Sequence, residues 1–159
     1  MRHMSTGTTL QIESTSSEQT EAFAEQVGAA LRGGEVLVLS SDLGGGKTTF
    51  VRGLARGAGS TDQVGSPTFT ISRVYEAPHF EIHHFDFYRL QHPGVVAHEL
   101  HDVVGDPHVV VAIEWGDIVD GVVPDDAMRI TIDQDARGHR LLRITYPKKL
   151  AYAVEALTA

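Results

Sequence analysis

An α/β domain, with a mixed, mostly parallel sheet flanked by helices on both faces, is the fold this sequence predicts, and three observations carry the prediction. Two short and almost wholly apolar runs, EVLVLS at 35–40 and VVVAI at 109–113, have the length and composition of strands buried on both faces. Stretches with apolar residues at helical spacing lie between and around them. A glycine cluster, Gly44 to Gly46, separates the first apolar run from the helix that follows it.

The elements follow in order. Residues 9–13 alternate polar and apolar side chains as a short strand does, and Ser16 or Ser17 then opens a helix. Phe23, Val27, Ala30 and Leu31 recur on one face of that helix, and Gly33 and Gly34 stop it. After the strand EVLVLS and the loop 41–46, residues 47–58 read as a second helix with Phe50, Val51 and Leu54 inward, closed by Gly57 and Gly59. VGSPT at 64–68 is a loop, because its Gly, Ser and Pro favour turns. Strands are expected at 69–75 and 81–85, with a turn at Ala77 and Pro78. A break at Pro93 and Gly94 precedes a short helix at 97–104. VVVAI is followed by a hairpin, 128–132 and 140–145, around Arg137 and Gly138, and residues 148–157 read as a terminal helix.

The chain has 159 residues, a net charge of −8, 42% hydrophobic residues and no cysteine. That excludes a disulfide scaffold and a cysteine-based zinc site. The acidic balance argues against gripping nucleic acid unaided, since neutralising phosphates takes clustered Lys and Arg. No run approaches a membrane span, so no membrane association and a cytoplasmic location are expected. Residues 7–159 read as a single domain. Residues 1–6 carry no role, and His3 before Met4 fits a cloning remnant.

SSDLGGGKTT at 40–49 lies between an apolar strand and a helix, the context a phosphate-binding loop requires. Backbone N–H groups must converge on phosphate oxygens, and Gly44, Gly45 and Gly46 let the main chain approach without a Cβ in the way. The helix starting at Lys47 adds unpaired N–H groups and the positive end of its dipole. Lys47 would reach the β- and γ-phosphates, and the Thr48 hydroxyl would hold Mg²⁺. The motif G-x-x-x-x-G-K-[ST] is matched at Gly46, Lys47 and Thr48, but Ser41 stands where its first glycine falls. If that position required a positive φ, the serine would cost on the order of 1 kcal/mol. The competing reading is a glycine-rich turn with a surface lysine. Because the loop is expected to be exposed, Lys47→Ala should leave the fold intact.

An enzyme of this type places an acid at the C-terminal end of a strand beside the phosphate loop, where it binds metal or positions water. Glu114 directly follows VVVAI, and Asp86 follows HHF. Either alone is equally readable as a solvated carboxylate; with the loop they form a candidate site. Thr68 in SPTF could offer a hydroxyl to the metal or γ-phosphate from a switch-like loop, or sit in a plain proline turn. Asp42 could order water near the phosphates or cap the turn, and Trp115 could pack on the switch or belong to the core. His98-Glu99-Leu100-His101 misses the H-E-x-x-H zinc pattern by one residue. His83 and His84 alternate across a strand and face opposite sides.

SDLGGGKTTF, SPTFTI, HFDFYRL and IEWGD occur in that order. Together they resemble the TsaE (YjeE) family of P-loop ATPases, over about residues 10–147. The resemblance implies a P-loop NTPase-like domain that acts in forming N6-threonylcarbamoyladenosine at position 37 of tRNA. It implies ATP and Mg²⁺ as cofactors, with Asp42, Leu43, Gly44, Gly45, Gly46, Lys47, Thr48, Thr49 and Thr68 at the nucleotide. Lys47, Asp86 and Glu114 would be catalytic, and Thr48, Asp86 and Glu114 would hold the metal. It implies TsaD and TsaB as partners, with tRNA met only indirectly and the transfer itself performed by them. Ser41, and Gly45 where alanine is common, depart from the family pattern. Two other classes use the same loop: a small-molecule or nucleoside kinase, for which Arg89, Arg137, Arg140 and Arg143 are loosely available as a lid, and a nucleotide-binding adaptor without turnover.

Overall fold

The computed structural model describes residues 7–41, 46–65, 72–87, 94–114 and 121–158. The expectations placed on residues 1–6, Asp42, Leu43, Gly44, Gly45, Thr68, Arg89 and Trp115 lie outside them. The elements are β1 (Thr8–Ser14), α1 (Ser17–Ala30), β2 (Val36–Ser41), α2 (Lys47–Gly57), β3 (Ser72–Glu76), β4 (Glu81–Asp86), α3 (Gly94–Val103), β5 (Val109–Glu114), β6 (Met128–Gln134), β7 (Arg140–Tyr146), a 3₁₀ segment (Lys148–Val154) and α4 (Glu155–Thr158).

One seven-stranded sheet runs in the order β1-β7-β6-β2-β5-β4-β3. The four central strands β6, β2, β5 and β4 are mutually parallel, and β3, β7 and β1 each pair antiparallel with their neighbour. The predicted mixed α/β sheet is therefore observed. Every residue of β5 is buried, as expected of a central strand covered on both faces.

Alternation along β2 divides the core. Leu37 and Leu39 pack with Val27 of α1, Phe50 and Leu54 of α2 and the C-terminal segment, whereas Val36 and Val38 join Val111, Ile113 and Leu100 of α3. Helix α1 starts where its sequence can cap it: the Ser16 hydroxyl accepts the Gln19 N–H at 3.1 Å, and the Gln19 side chain accepts the Thr15 N–H at 2.7 Å.

Gly57 is the last residue of α2, as expected, and it also lets α2 approach α1, because a Cβ there would lie 2.0 Å from the Glu25 carbonyl oxygen; Gly53 is equally tight at 2.2 Å from that of Glu21. Gly59, at φ +95°, makes the turn that ends the helix region. The terminal helix is mostly 3₁₀: with three residues per turn, Leu150 and Ala153 stack on one side and are both buried. No described helix is long and apolar enough to cross a membrane.

Candidate nucleotide-phosphate site

Strand β2 ends at Ser41, which is still in parallel register with Ile132 of β6. The chain is extended there, so leaving the strand does not require a glycine at this position. Gly46 is the N-cap of α2 in the left-handed conformation, φ +100° and ψ 17°, with no side chain capping the helix. That backbone is inexpensive only for glycine. The first-turn N–H groups of α2 thus begin beside the C-terminal edge of the parallel strands, carrying the positive end of the helix dipole.

Lys47 is the first residue of α2 and is only 7% exposed, contrary to the expectation of an exposed loop lysine. Its Nζ donates to the Ser41 Oγ at 2.8 Å. The residue that departs from the motif glycine therefore serves as a hydrogen-bond partner for the motif lysine. Thr48 and Thr49 follow on the same first turn, both half-buried.

The two acids arrive on adjacent parallel strands. Asp86 of β4 stands opposite Glu114 of β5, and Leu39 of β2 stands opposite Glu114 on the other side. Side-chain alternation places Ser41, Asp86 and Glu114 on the same face as Leu39 and Ala112, the face covered by α1 and α2. Asp86 is half-buried and Glu114 is buried. Ser41, Lys47, Asp86 and Glu114 thus converge at one edge of the sheet, outside the carboxyl ends of parallel strands, where open α/β sheets take ligands.

Behind Glu114 lies a chain of buried polar groups that the sequence reading missed. Its Oε2 is 2.5 Å from His84 Nε2, His84 Nδ1 is 2.9 Å from the Tyr75 Oη, and the Tyr75 hydroxyl donates to the Gly65 carbonyl at 3.0 Å. His84 is completely buried and Tyr75 nearly so. Burial pushes the Tyr75 hydroxyl above its usual value, so the group remains a donor through the neutral range. His83 points the other way, as alternation predicts, and pairs with Glu81 at 3.0 Å. The register between β4 and β5 brings His84 to Glu114; the signal available earlier was a histidine on the apolar face of a strand, which demands partners.

The donor set tests the fit of a metal. Thr48, Asp86 and Glu114 offer only oxygen, the chemistry suited to Mg²⁺, which is commonly held by one or two carboxylates plus substrate phosphates. Among the described residues, the one cluster of three acidic or histidine ligands is elsewhere, where Glu13 of β1 meets Asp135 and His139 of the β6–β7 turn. Arg137 already bonds Glu13 there at 2.9 Å, and Asp135 accepts backbone N–H groups of Arg137 and His139.

Of the arginines considered as a lid, Arg137 is tied to Glu13 and Arg143 pairs with Asp133 at 3.6 Å. Arg140 instead reaches the start of α2, its Nε lying 3.8 Å from where a Cβ on Gly46 would be. It borders a polar hollow of about 340 Å³ shared with Ser14, Ser16, Thr20, Gly46 and Thr49.

Residues 14–142 match the family model described as threonylcarbamoyl adenosine biosynthesis protein TsaE. The chain is 34% identical over 132 residues to the tRNA threonylcarbamoyladenosine biosynthesis protein TsaE of Bacillus subtilis, covering 80% of each chain. It is 34% identical to the protein of the same description from Treponema pallidum, over 82% of this chain and 96% of that one. A crystal structure of Bacillus subtilis YdiB superposes with a TM-score of 0.79 at 28% identity, covering 99% of this chain and 97% of its own.

Proposed function

This chain belongs to the TsaE family of tRNA threonylcarbamoyladenosine biosynthesis proteins, and from that membership we propose that it is a Mg²⁺-dependent ATPase serving the modification of tRNA position 37 through a TsaB–TsaD complex. The observation that carries the reading is the buried Lys47 at the N-terminus of α2, hydrogen-bonded to Ser41, on the sheet edge where Asp86 and Glu114 end neighbouring strands.

The N–H groups at the start of α2 and the Lys47 ammonium bind the phosphates of ATP and stabilise charge that grows on them during hydrolysis. The Thr48 hydroxyl and the Asp86 and Glu114 carboxylates would hold Mg²⁺, which would supply charge neutralisation at the phosphates. Asp86 or Glu114 would also orient the attacking water. We also assign Asp42, Leu43, Gly44, Gly45 and Thr49 to phosphate binding, and the Thr68 hydroxyl to the metal or γ-phosphate. The protein acts in the cytoplasm, and with a net charge of −8 it meets tRNA through its partners.

Phosphate release from Mg-ATP, measured for the chain alone and with TsaB and TsaD, tests the proposal. Slow release that rises with the partners is expected. Nucleotide binding with no release in either case would leave only an adaptor, and transfer of the phosphoryl group to a small molecule would replace the ATPase reading by a kinase.

A further inference from the structure

We propose that Tyr75 and His84 are positioning residues for Glu114, holding its carboxylate through a buried chain of three hydrogen bonds anchored on the Gly65 carbonyl. The inference rests on the reading of Glu114 as part of an Mg²⁺-nucleotide site.

The bonds have a fixed direction. A carbonyl only accepts, so the single hydroxyl proton of Tyr75 goes to Gly65. The Tyr75 oxygen must then accept from His84 Nδ1–H at 2.9 Å, which fixes the plane of the imidazole; the bond from Nε2 to the Glu114 carboxylate, 2.5 Å away, needs a second ring proton, so a chain in this direction is made by His84 as an imidazolium paired with Glu114. Three elements contribute: β3 carries Tyr75, β4 carries His84 and β5 carries Glu114. Tyr75 stands opposite Ile82 and His84 opposite Ala112, so the chain runs along the same sheet face that presents Asp86 and Glu114. Gly65 lies directly before SPTFT at 66–70. The aim of the Glu114 carboxylate is therefore linked to the backbone that leads into that segment.

A buried histidine and tyrosine with satisfied hydrogen bonds could serve stability alone. The distinguishing feature is where the chain ends, on a carboxylate at the carboxyl edge of parallel strands in register with a second acid. Outer partners that orient a metal-binding carboxylate typically cost about 10–100-fold in metal affinity or activity when removed.

Tyr75→Phe removes only the hydroxyl and keeps the buried ring. Its melting temperature, its affinity for ATP without metal, its affinity for Mn²⁺ in the ADP complex by electron paramagnetic resonance, and kcat would each be compared with wild type. We expect metal-free ATP affinity within about twofold, and Mn²⁺ affinity and kcat lowered by roughly five- to tenfold. His84→Asn should lose more, about 10–100-fold, if it folds. In a Glu114→Gln background, adding Tyr75→Phe should cost nothing further in kcat or Mn²⁺ affinity. The inference is overturned if Tyr75→Phe lowers only the melting temperature, or costs the same with and without the Glu114 carboxylate. Absence of Mg-nucleotide binding in the wild type would overturn the site reading itself, and the positioning role with it; that failure is visible before any Tyr75 variant is made.

Discussion

The Lys47 ammonium, 7% exposed and bonded to Ser41, is a charge held at the mouth of a helix whose N–H groups also need an anion. A hydrogen bond to a charged group contributes about 1.5–3 kcal/mol, so Lys47→Ala should weaken ATP binding by roughly 10–100-fold. Because the lysine is buried, the melting temperature should be recorded alongside the titration, to separate lost binding from lost fold. Asp86→Asn keeps the shape and removes the charge: nucleotide should still bind, while Mg²⁺-dependent turnover falls about a hundredfold, equivalent to about 2.7 kcal/mol. Normal hydrolysis by both Asp86→Asn and Glu114→Gln would remove these acids from the site. At this scale the sequence exposes Lys47, Asp86 and Glu114, since each adjoins an apolar run or a glycine cluster. It does not expose the His84–Glu114 contact, which exists only once β4 and β5 are set side by side in one register. The burial of Lys47 is hidden for the same reason, because it depends on how the start of α2 sits against the end of β2, where Ser41 bonds the lysine.

Elements were predicted within a few residues where period and caps agree, as in α1, β2, α2 and β5. Tertiary contact adds roles that local sequence does not show. Gly57 ends α2 as the sequence suggests, and its missing side chain is also what allows α2 to meet the Glu25 carbonyl of α1. An exposed helical glycine changed to alanine gains up to about 1 kcal/mol. Here the added Cβ meets backbone at 2.0 Å, so overpacking of about 1–3 kcal/mol should win. Gly57→Ala should therefore lower the melting temperature by several degrees, about 2–4 °C per kcal/mol at this size. A higher melting temperature would show that the helices separate without cost. Ser16→Ala, which removes the cap on the Gln19 N–H, should cost about 1 kcal/mol in the same assay.

The whole molecule places four parallel strands at its centre and gathers the candidate site at their carboxyl edge, beside the start of α2. With 13 basic against 21 acidic residues the chain carries a net charge of −8, which favours a role beside tRNA chemistry over direct contact with the tRNA. In a mobility-shift assay at physiological salt, the isolated chain should not retard tRNA at micromolar concentration; a shift that disappears with added salt would assign it a nucleic-acid surface of its own. The most direct test of the nucleotide site is calorimetric titration of Mg-ATP into the wild-type chain and into Lys47→Ala, both shown to melt cooperatively. Saturable binding by the wild type, weakened by about 10–100-fold in the variant, is the predicted result. Equal affinity in the two proteins, or no binding by the wild type, would contradict it.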